Sequence, residues 1–384
     1  MTARNLYSRK RLASILIKPA GPDCNMACAY CFYRDKEALF PGSPVHRMSD
    51  DILEETIRQF MAQPAPALSI GWQGGEPTLM GLPFYEKAIA CQIRSGKGKT
   101  VGNGLQTNGV LIDRDWAAFL KKYNFLVGLS LDGPEHIHDR YRSSSGGQRT
   151  WRNAADAAKL LLDSGVNVNA LVVVNDYSAR FPSEIYDFHK SLGLVHIQFI
   201  PCVETDPEIP GRSARFSANG EDLGKFLCAV FDLWISDFKD GAPTTFIRFF
   251  DSVFFRYVGR EPPECDLLAE CGNYLVVEHS GDVYACDFFV ESGWKLGNVM
   301  ERKLDHMLNS ARQRDFGRRK ADLPPPCDSC RWLFLCRGGC PKDRIRDPRD
   351  RGLNHFCEGY KMFFAHADAQ LRTLAEAWKL ENQT

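Results

Sequence analysis

The sequence predicts an α/β protein: a partial (β/α)6 barrel followed by a cysteine-rich C-terminal domain made of a β-hairpin plus helices. Three observations carry this. From residue 12 to about 200, short apolar runs alternate six times with amphipathic stretches, a pattern that implies a parallel sheet with right-handed crossovers. Polar and glycine-rich residues follow the apolar runs, where barrels of this kind place their chemistry. Past residue 240 the alternation stops and cysteines at 265, 271, 286, 327, 330, 336, 340 and 357 take over.

Each element has a local reason. Leu12 to Lys18 is the first strand. Ser49 caps a helix running to about Met61, with Asp50 and Asp51 in its first turn. Leu68 to Trp72 is the second strand and Pro83 to Ile93 the next helix. A third short strand closes at Leu105, and Asp113 to Lys122 is helical. Phe125 to Leu131 is the fourth strand and Thr150 to Ser164 a helix with one apolar face. Val166 to Val174, rich in β-branched residues, is the fifth strand. Pro182 to Leu192 is helical, and His196 to Ile200 is the sixth strand. Ser280-Gly281-Asp282 between two strand-like runs is a hairpin signal. Residues 358–380 read as a terminal amphipathic helix.

With 384 residues, 44% of them hydrophobic and 25% charged, the chain is long enough for two domains and reads as a soluble globular protein. Zero formal net charge disfavours a polyanionic partner such as nucleic acid. No apolar run approaches the roughly 20 residues that span a bilayer. The basic start at Arg4, Arg9, Lys10 and Arg11 lacks a long enough apolar core for a signal peptide, so the protein is expected in the cytoplasm. Fourteen cysteines in such a chain point to metal binding or catalysis rather than to a disulfide framework. Cys91, Cys202 and Cys228 stand alone and are expected to be small buried hydrophobes.

Cys24, Cys28 and Cys31 form a C-x3-C-x2-C array just after the first strand. Three thiolates on a [4Fe–4S] cluster leave one iron open to a small molecule, although a zinc knuckle or three buried thiols fit the spacing too. The eight later cysteines make two complete sets of four. Their spacing alone fits two zinc sites and two iron–sulfur clusters equally, but an open, redox-active cluster needs further electron carriers. Gln73 to Pro77, Gln106 to Gly109, Ser130 with Asp132-Gly133-Pro134, and Pro201-Cys202-Val203 all fall beyond strand ends. Taken singly, each is also an ordinary turn; their common placement argues for a site. Asp287 directly follows Cys286, so on a strand the two side chains point to opposite faces. It also suits a strand-end carboxylate bonding local backbone.

The three-cysteine loop resembles the signature of the radical S-adenosylmethionine (SAM) enzymes, in which the open iron grips SAM and the reduced cluster cleaves it to a 5′-deoxyadenosyl radical. Gly74-Gly75-Glu76-Pro77 resembles the family segment that meets the SAM amino group. By the same resemblance Tyr30, Gly75, Ser130, Arg142 and Val203 match SAM-contacting positions. Tyr30 would lie by the adenine, Ser130 and Arg142 on polar groups, and Val203 on backbone or apolar atoms. Arg142 also reads as a surface arginine in Arg140-Tyr141-Arg142. The later cysteines resemble the SPASM extension with its two auxiliary [4Fe–4S] clusters. That resemblance assigns Cys265, Cys271, Cys286 and Cys340 to one cluster and Cys327, Cys330, Cys336 and Cys357 to the other.

The likeness goes beyond fold class: the chain resembles the anaerobic sulfatase-maturating enzymes from about residue 12 to 365. It rests on Ile17-Lys18-Pro19-Ala20, Cys31-Phe32-Tyr33, Trp72 to Leu79, Gln106 to Gly109, Phe125 to Pro134, Gln198-Phe199-Ile200 and Val283 to Asp287. The resemblance implies a radical SAM barrel over 12–240, a SPASM domain over 241–370 and a tail over 371–384. It implies oxidation of a cysteine or serine, in a sulfatase Cys/Ser-x-Pro-x-Arg segment, to Cα-formylglycine. Asp287 matches the general base, while Tyr33 and Gln73 match substrate-side positions. Three [4Fe–4S] clusters and SAM are the expected cofactors, and a flavodoxin or ferredoxin the low-potential donor. Two other readings fit parts of the pattern. One is a SPASM enzyme that forms thioether or carbon–carbon cross-links in ribosomal peptides, disfavoured by the mere eleven or so residues before the first strand. The other is an iron–sulfur electron carrier without an enzymatic role, or a zinc-stabilised binding module.

Overall fold

The computed structural model describes residues 9–209, 211–345 and 352–382; Arg4 and the last two residues of the expected tail lie outside them. Ten strands are present: β1 (Ser14–Lys18), β2 (Ala67–Trp72), β3 (Thr100–Thr107), β4 (Leu126–Ser130), β5 (Asn167–Val174), β6 (His196–Pro201), β7 (Phe246–Ile247), β8 (Leu275–Glu278), β9 (Asp282–Tyr284) and β10 (Lys295–Asn298). The α/β class and the strand–helix alternation through β6 match the sequence expectation. Helices Asp50–Met61, Leu82–Gly96, Arg114–Lys122, Trp151–Asp163 and Pro182–Ser191 lie between successive strands.

The cap read from sequence at Ser49 is made: Ser49 accepts the N–H of Ile52. Asp113, read from sequence as the first helical residue, is itself a cap and accepts the N–H of Trp116 at 2.9 Å; each such cap stabilises its helix by about 1 kcal/mol. The helix of Asp50–Met61 buries Leu53, Ile57, Phe60 and Met61, the three-and-four spacing of a single inward face.

The chain divides into two compact units. The first comprises the chain up to Cys24, Tyr33–Gln106 and Gly272–Arg318. Its strands run in the order β10-β9-β8-β1-β2-β3. β1 pairs in parallel with β2 on one side and β8 on the other, and β8, β9 and β10 are antiparallel. The expected hairpin around Gly281 is therefore present, and it adds to the edge of β1. Neither that docking nor β10 was expected from sequence. The core here centres on Trp72, whose indole N–H bonds Asn103 Oδ1 at 3.0 Å and whose ring meets Phe84 and Tyr85 edge-on.

The second unit comprises Asn25–Phe32, Thr107–Cys271 and the chain from Arg319 onward. Strands β4, β5, β6 and β7 are all parallel. The stretch after β6 had no sequence assignment; it forms a 17-residue helix, Gly220–Ser236, capped by Asn219. That helix packs on the terminal helix, Cys357–Glu381. The terminal helix buries Phe363, Phe364, Ala367 and Leu371, while Leu374 and Trp378 stay half-exposed. The two helices touch through glycines. A Cβ on Gly224 would fall 2.8 Å from Gly359 Cα, and one on Gly359 only 2.2 Å from Gly220 O. Gly359→Ala is therefore expected to lower the unfolding free energy by about 1–3 kcal/mol, read as a drop in thermal midpoint. Gly293, with nothing within 4 Å of its ideal Cβ, is the control: Gly293→Ala should leave the midpoint unmoved.

Candidate active site

β1 is short and apolar until its last residue. Lys18 is fully buried, and an ammonium is kept in such surroundings only when paired. Its partner is Asp287, whose Oδ1 forms an ion pair with Lys18 Nζ. The pairing of β1 with β8 sets Lys18 across from Glu278, itself fully buried. Tyr33 joins them: its hydroxyl donates to Glu278 Oε1, and its ring lies 3.6 Å beneath the Lys18 ammonium. Burial and the neighbouring Glu278 push the Tyr33 phenol well above its usual range, so it stays a hydrogen-bond donor. Gln73, the first residue beyond β2, donates from Nε2 to Asp287 Oδ2 at 3.2 Å.

Asp287 is 8% exposed. β9 closes at Tyr284, Cys286 keeps an extended backbone, and Asp287 opens a single 3-10 turn. The alternation expected for a strand thus holds only at Cys286, and the turn sets the direction of Asp287. Tyr274 anchors the pair: its hydroxyl accepts the Asp287 N–H at 3.2 Å and lies 3.3 Å from Cys286 Sγ. Lys18, Glu278 and Tyr274 were not singled out from sequence. Lys18 stood in the quoted Ile17–Ala20 run, and its place at the end of a buried strand was the available signal.

Gly75 packs against the chain just before Cys24. Its N–H donates to Gly21 O at 2.8 Å, the Glu76 N–H donates to Asp23 O at 2.8 Å, and a Cβ on Gly75 would overlap Asp23 O at 2.0 Å. Glycine is required here by an approach of the chain to its own backbone. Asp23 is held in turn by His46, whose ring Nδ1 lies 2.6 Å from Oδ1, and by Arg47.

In the second unit, Tyr30 and Arg142 meet at Asp132. The Tyr30 hydroxyl donates to Asp132 Oδ2, and Arg142 Nη1 donates to Tyr30 at 3.0 Å and lies 3.4 Å from Asp132 Oδ1. Arg142 is 6% exposed, so the surface-arginine reading is wrong: Asp132, beyond the end of β4, draws its guanidinium inward. Arg142 Nε is buried without a protein hydrogen-bond partner, leaving a donor for a polar ligand group. Ser130 ends β4 half-exposed, and Val203 is buried two residues beyond β6. Cys28 and Cys31 share one turn, with the Cys31 N–H on Cys28 O at 3.2 Å. Cys24 belongs to the first unit.

Among the described residues no two cysteines are joined in a disulfide. Cys327, Cys330, Cys336 and Cys357 line one cavity, together with Gly338, Gly339, Trp332, Tyr360 and Phe364. Among the described residues no three His, Cys, Asp or Glu side chains converge to hold a single metal ion. Four thiols around one cavity supply the one-thiolate-per-iron set that a [4Fe–4S] cluster takes. Burial pushes the Cys336 thiol up, and that of Cys357 to about 11, so loading the site must displace protons. Gly338 and Gly339 have left-handed backbones, and Cβ atoms there would strike Arg344 and Asn354. Lys320, fully buried, donates to Asp266 O and Gly339 O, tying the Cys265 and Cys340 loops together. Cys265, Cys271 and Cys340 lie in the second unit and Cys286 in the first. Of the lone cysteines, Cys91 and Cys202 are buried as expected, whereas Cys228 is partly exposed.

Residues 19–188 match the radical SAM superfamily, and residues 269–331 match an iron–sulfur cluster-binding domain. The chain is 38% identical over 369 residues to the serine-type anaerobic sulfatase-maturating enzyme of Bacteroides thetaiotaomicron, covering 92% of this chain and 88% of that one. It is 35% identical over 364 residues to the cysteine-type enzyme of Clostridium perfringens, covering 94% and 98%. The solved structure of native anSMEcpe with bound AdoMet and the Cp18Cys peptide superposes with a TM-score of 0.87 at 36% identity, over 95% of this chain and 99% of that one. The chain belongs to the anaerobic sulfatase-maturating enzymes, radical SAM proteins that carry a SPASM domain.

Proposed function

We propose that this protein oxidises a cysteine or serine in a sulfatase Cys/Ser-x-Pro-x-Arg segment to Cα-formylglycine, with Asp287 as the general base. The observation that carries the reading is the Asp287 carboxylate, nearly buried, set between Lys18 and Gln73 and one residue from Cys286. The two-electron oxidation removes a hydrogen atom from Cβ, a proton from the thiol or hydroxyl, and one electron; serine then yields the aldehyde directly, whereas cysteine yields a thioaldehyde that water hydrolyses to the aldehyde with release of hydrogen sulfide. Asp287 takes the proton. Gln73 and Tyr33 border the carboxylate and line the substrate side. Tyr30, Gly75, Ser130, Arg142 and Val203 hold SAM, with the unpaired Nε of Arg142 as one polar contact.

Cys24, Cys28 and Cys31 ligate the SAM cluster. Cys265, Cys271, Cys286 and Cys340 ligate one auxiliary cluster, and Cys327, Cys330, Cys336 and Cys357 the other. When bound, SAM and the three clusters supply the radical that abstracts the Cβ hydrogen and the acceptor for the remaining electron. The barrel occupies 12–240 and the auxiliary-cluster domain 241–370, in keeping with the family matches at 19–188 and 269–331. Among the described residues no helix is long and apolar enough to cross a membrane. Eleven cysteines grouped for iron rather than for disulfides suit a reducing cytoplasm, with flavodoxin or ferredoxin as the donor.

The test is anaerobic reconstitution followed by incubation with SAM, reductant and a Cys-x-Pro-x-Arg peptide. An aldehyde-reactive tag and loss of the peptide sulfur are expected; a product that retains sulfur as a thioether contradicts the reading. Asp287→Asn is expected to keep its full iron content and its SAM cleavage while aldehyde formation falls by about 100-fold or more, by mass spectrometry beside a 5′-deoxyadenosine assay. Replacing Cys330 with Ala should lower the iron content of the reconstituted protein by up to about four atoms per chain, one cluster, with the Cys24–Cys31 cluster still detectable by its SAM-dependent spectrum.

A further inference from the structure

Lys18 has no part in the chemistry so far. It ends β1 wholly buried, yet it is a cation, and its ammonium reaches Oδ1 of the carboxylate assigned as the base. Gln73, one residue beyond the neighbouring strand β2, holds Oδ2 of the same carboxylate at 3.2 Å. Two adjacent parallel strands thus each bring one partner from their C-terminal ends, an ammonium ion-paired with Oδ1 and an amide donating to Oδ2. The Gln73 N–H bonds Ile17 O at 2.9 Å, which fixes the two partners against each other. The ammonium is also confined from one side by the Tyr33 ring, which Glu278 anchors through the phenol.

A carboxylate at the start of a short turn has its side-chain torsions free unless both oxygens are held. We propose that Lys18 is the positioning residue of the oxidation site, fixing the rotamer of Asp287 through Oδ1 so that the Oδ2 edge, shared with Gln73, receives the substrate proton. This rests on the reading of Asp287 as the base. Lys18 touches no reacting atom; it acts through the carboxylate.

The test compares Lys18→Met, Lys18→Arg, Asp287→Asn and the Lys18→Met/Asp287→Asn double variant, each as the full chain reconstituted anaerobically and assayed with SAM and the Cys-x-Pro-x-Arg peptide. Lys18→Met is expected to lower kcat for aldehyde formation by about 10- to 100-fold, the scale of a misplaced catalytic group. Iron content and SAM binding should be unchanged and the peptide KM should stay within about threefold, the margin of a group that acts on the transition state alone. Lys18→Arg keeps the cation and should retain more of the rate. The double variant should be no slower than Asp287→Asn, because groups that act as one unit are non-additive. It should also regain thermal midpoint lost in Lys18→Met, having one uncompensated buried charge fewer, so the comparison survives if Lys18→Met alone folds poorly.

Losses that multiply in the double variant, or a Lys18→Met defect seen only as lost iron or raised KM, overturn the proposal. If Asp287→Asn is inactive and Lys18→Met is unimpaired, the Lys18 proposal falls alone. If Asp287→Asn forms aldehyde at the parent rate, the base assignment and the role of Lys18 fall together.

Discussion

The parallel pairing of β8 with β1 is the contact on which the site depends. β1 begins the barrel, whereas β8 begins the hairpin that leads to Cys286 and Asp287. Their register brings Lys18 level with Glu278, and the hairpin then returns Asp287 to the Lys18 ammonium. A carboxylate is thereby supplied from the C-terminal half of the chain to a strand end of the N-terminal half. The charges could not be buried singly: Lys18 and Glu278 are both fully enclosed, and each is tolerated because Asp287 and Tyr33 complete the set. Such a set adds little net stability, but removing one member leaves an uncompensated charge, so the arrangement is all or none.

The same economy shapes the loops around the cysteines. At Gly75 the chain lies on its own backbone at residues 21–23, and the space that a side chain would need is taken by Asp23 O. At Gly338 and Gly339 the chain turns sharply between two cysteines, with Arg344 and Asn354 filling the inner side. Arg344 bonds the carbonyls of Gly338, Lys320 and Asp322, and Lys320 bonds those of Asp266 and Gly339. Buried cations on backbone carbonyls hold the cysteine-bearing loops before any cluster is inserted. This suits ligands that must accept a rigid inorganic core without collapsing onto one another.

Much of this was legible in the sequence. Cysteine spacing is local, so the open three and the eight later thiols could be counted from the chain, whereas the division of the eight into two ligand sets came from resemblance alone. The strand–helix rhythm could be read from the chain as well, because its periodicity and caps are local too. Asp287 was visible through its neighbour Cys286. What stayed hidden depends on long-range pairing. Nothing near Lys18 announces that β8 will lie beside β1, and nothing near Glu278 announces Tyr33. Arg142 looked like a surface residue in a basic triplet, and only the position of Asp132 in space turns it inward. The Gly220–Ser236 helix was missed because its apolar face is broad and its glycines, which let the terminal helix approach, read as breakers.

The central claim is that the Asp287 carboxylate, held by Lys18 and Gln73, is the group that receives the substrate proton. A crystal structure of the anaerobically reconstituted protein with SAM and a Cys-x-Pro-x-Arg peptide tests it most directly. The account predicts the peptide thiol within hydrogen-bond reach of Asp287, about 2.6–3.2 Å or across one water, with the Lys18 ion pair intact. A peptide bound with its thiol out of reach of Asp287, and beside another titratable side chain, would contradict it.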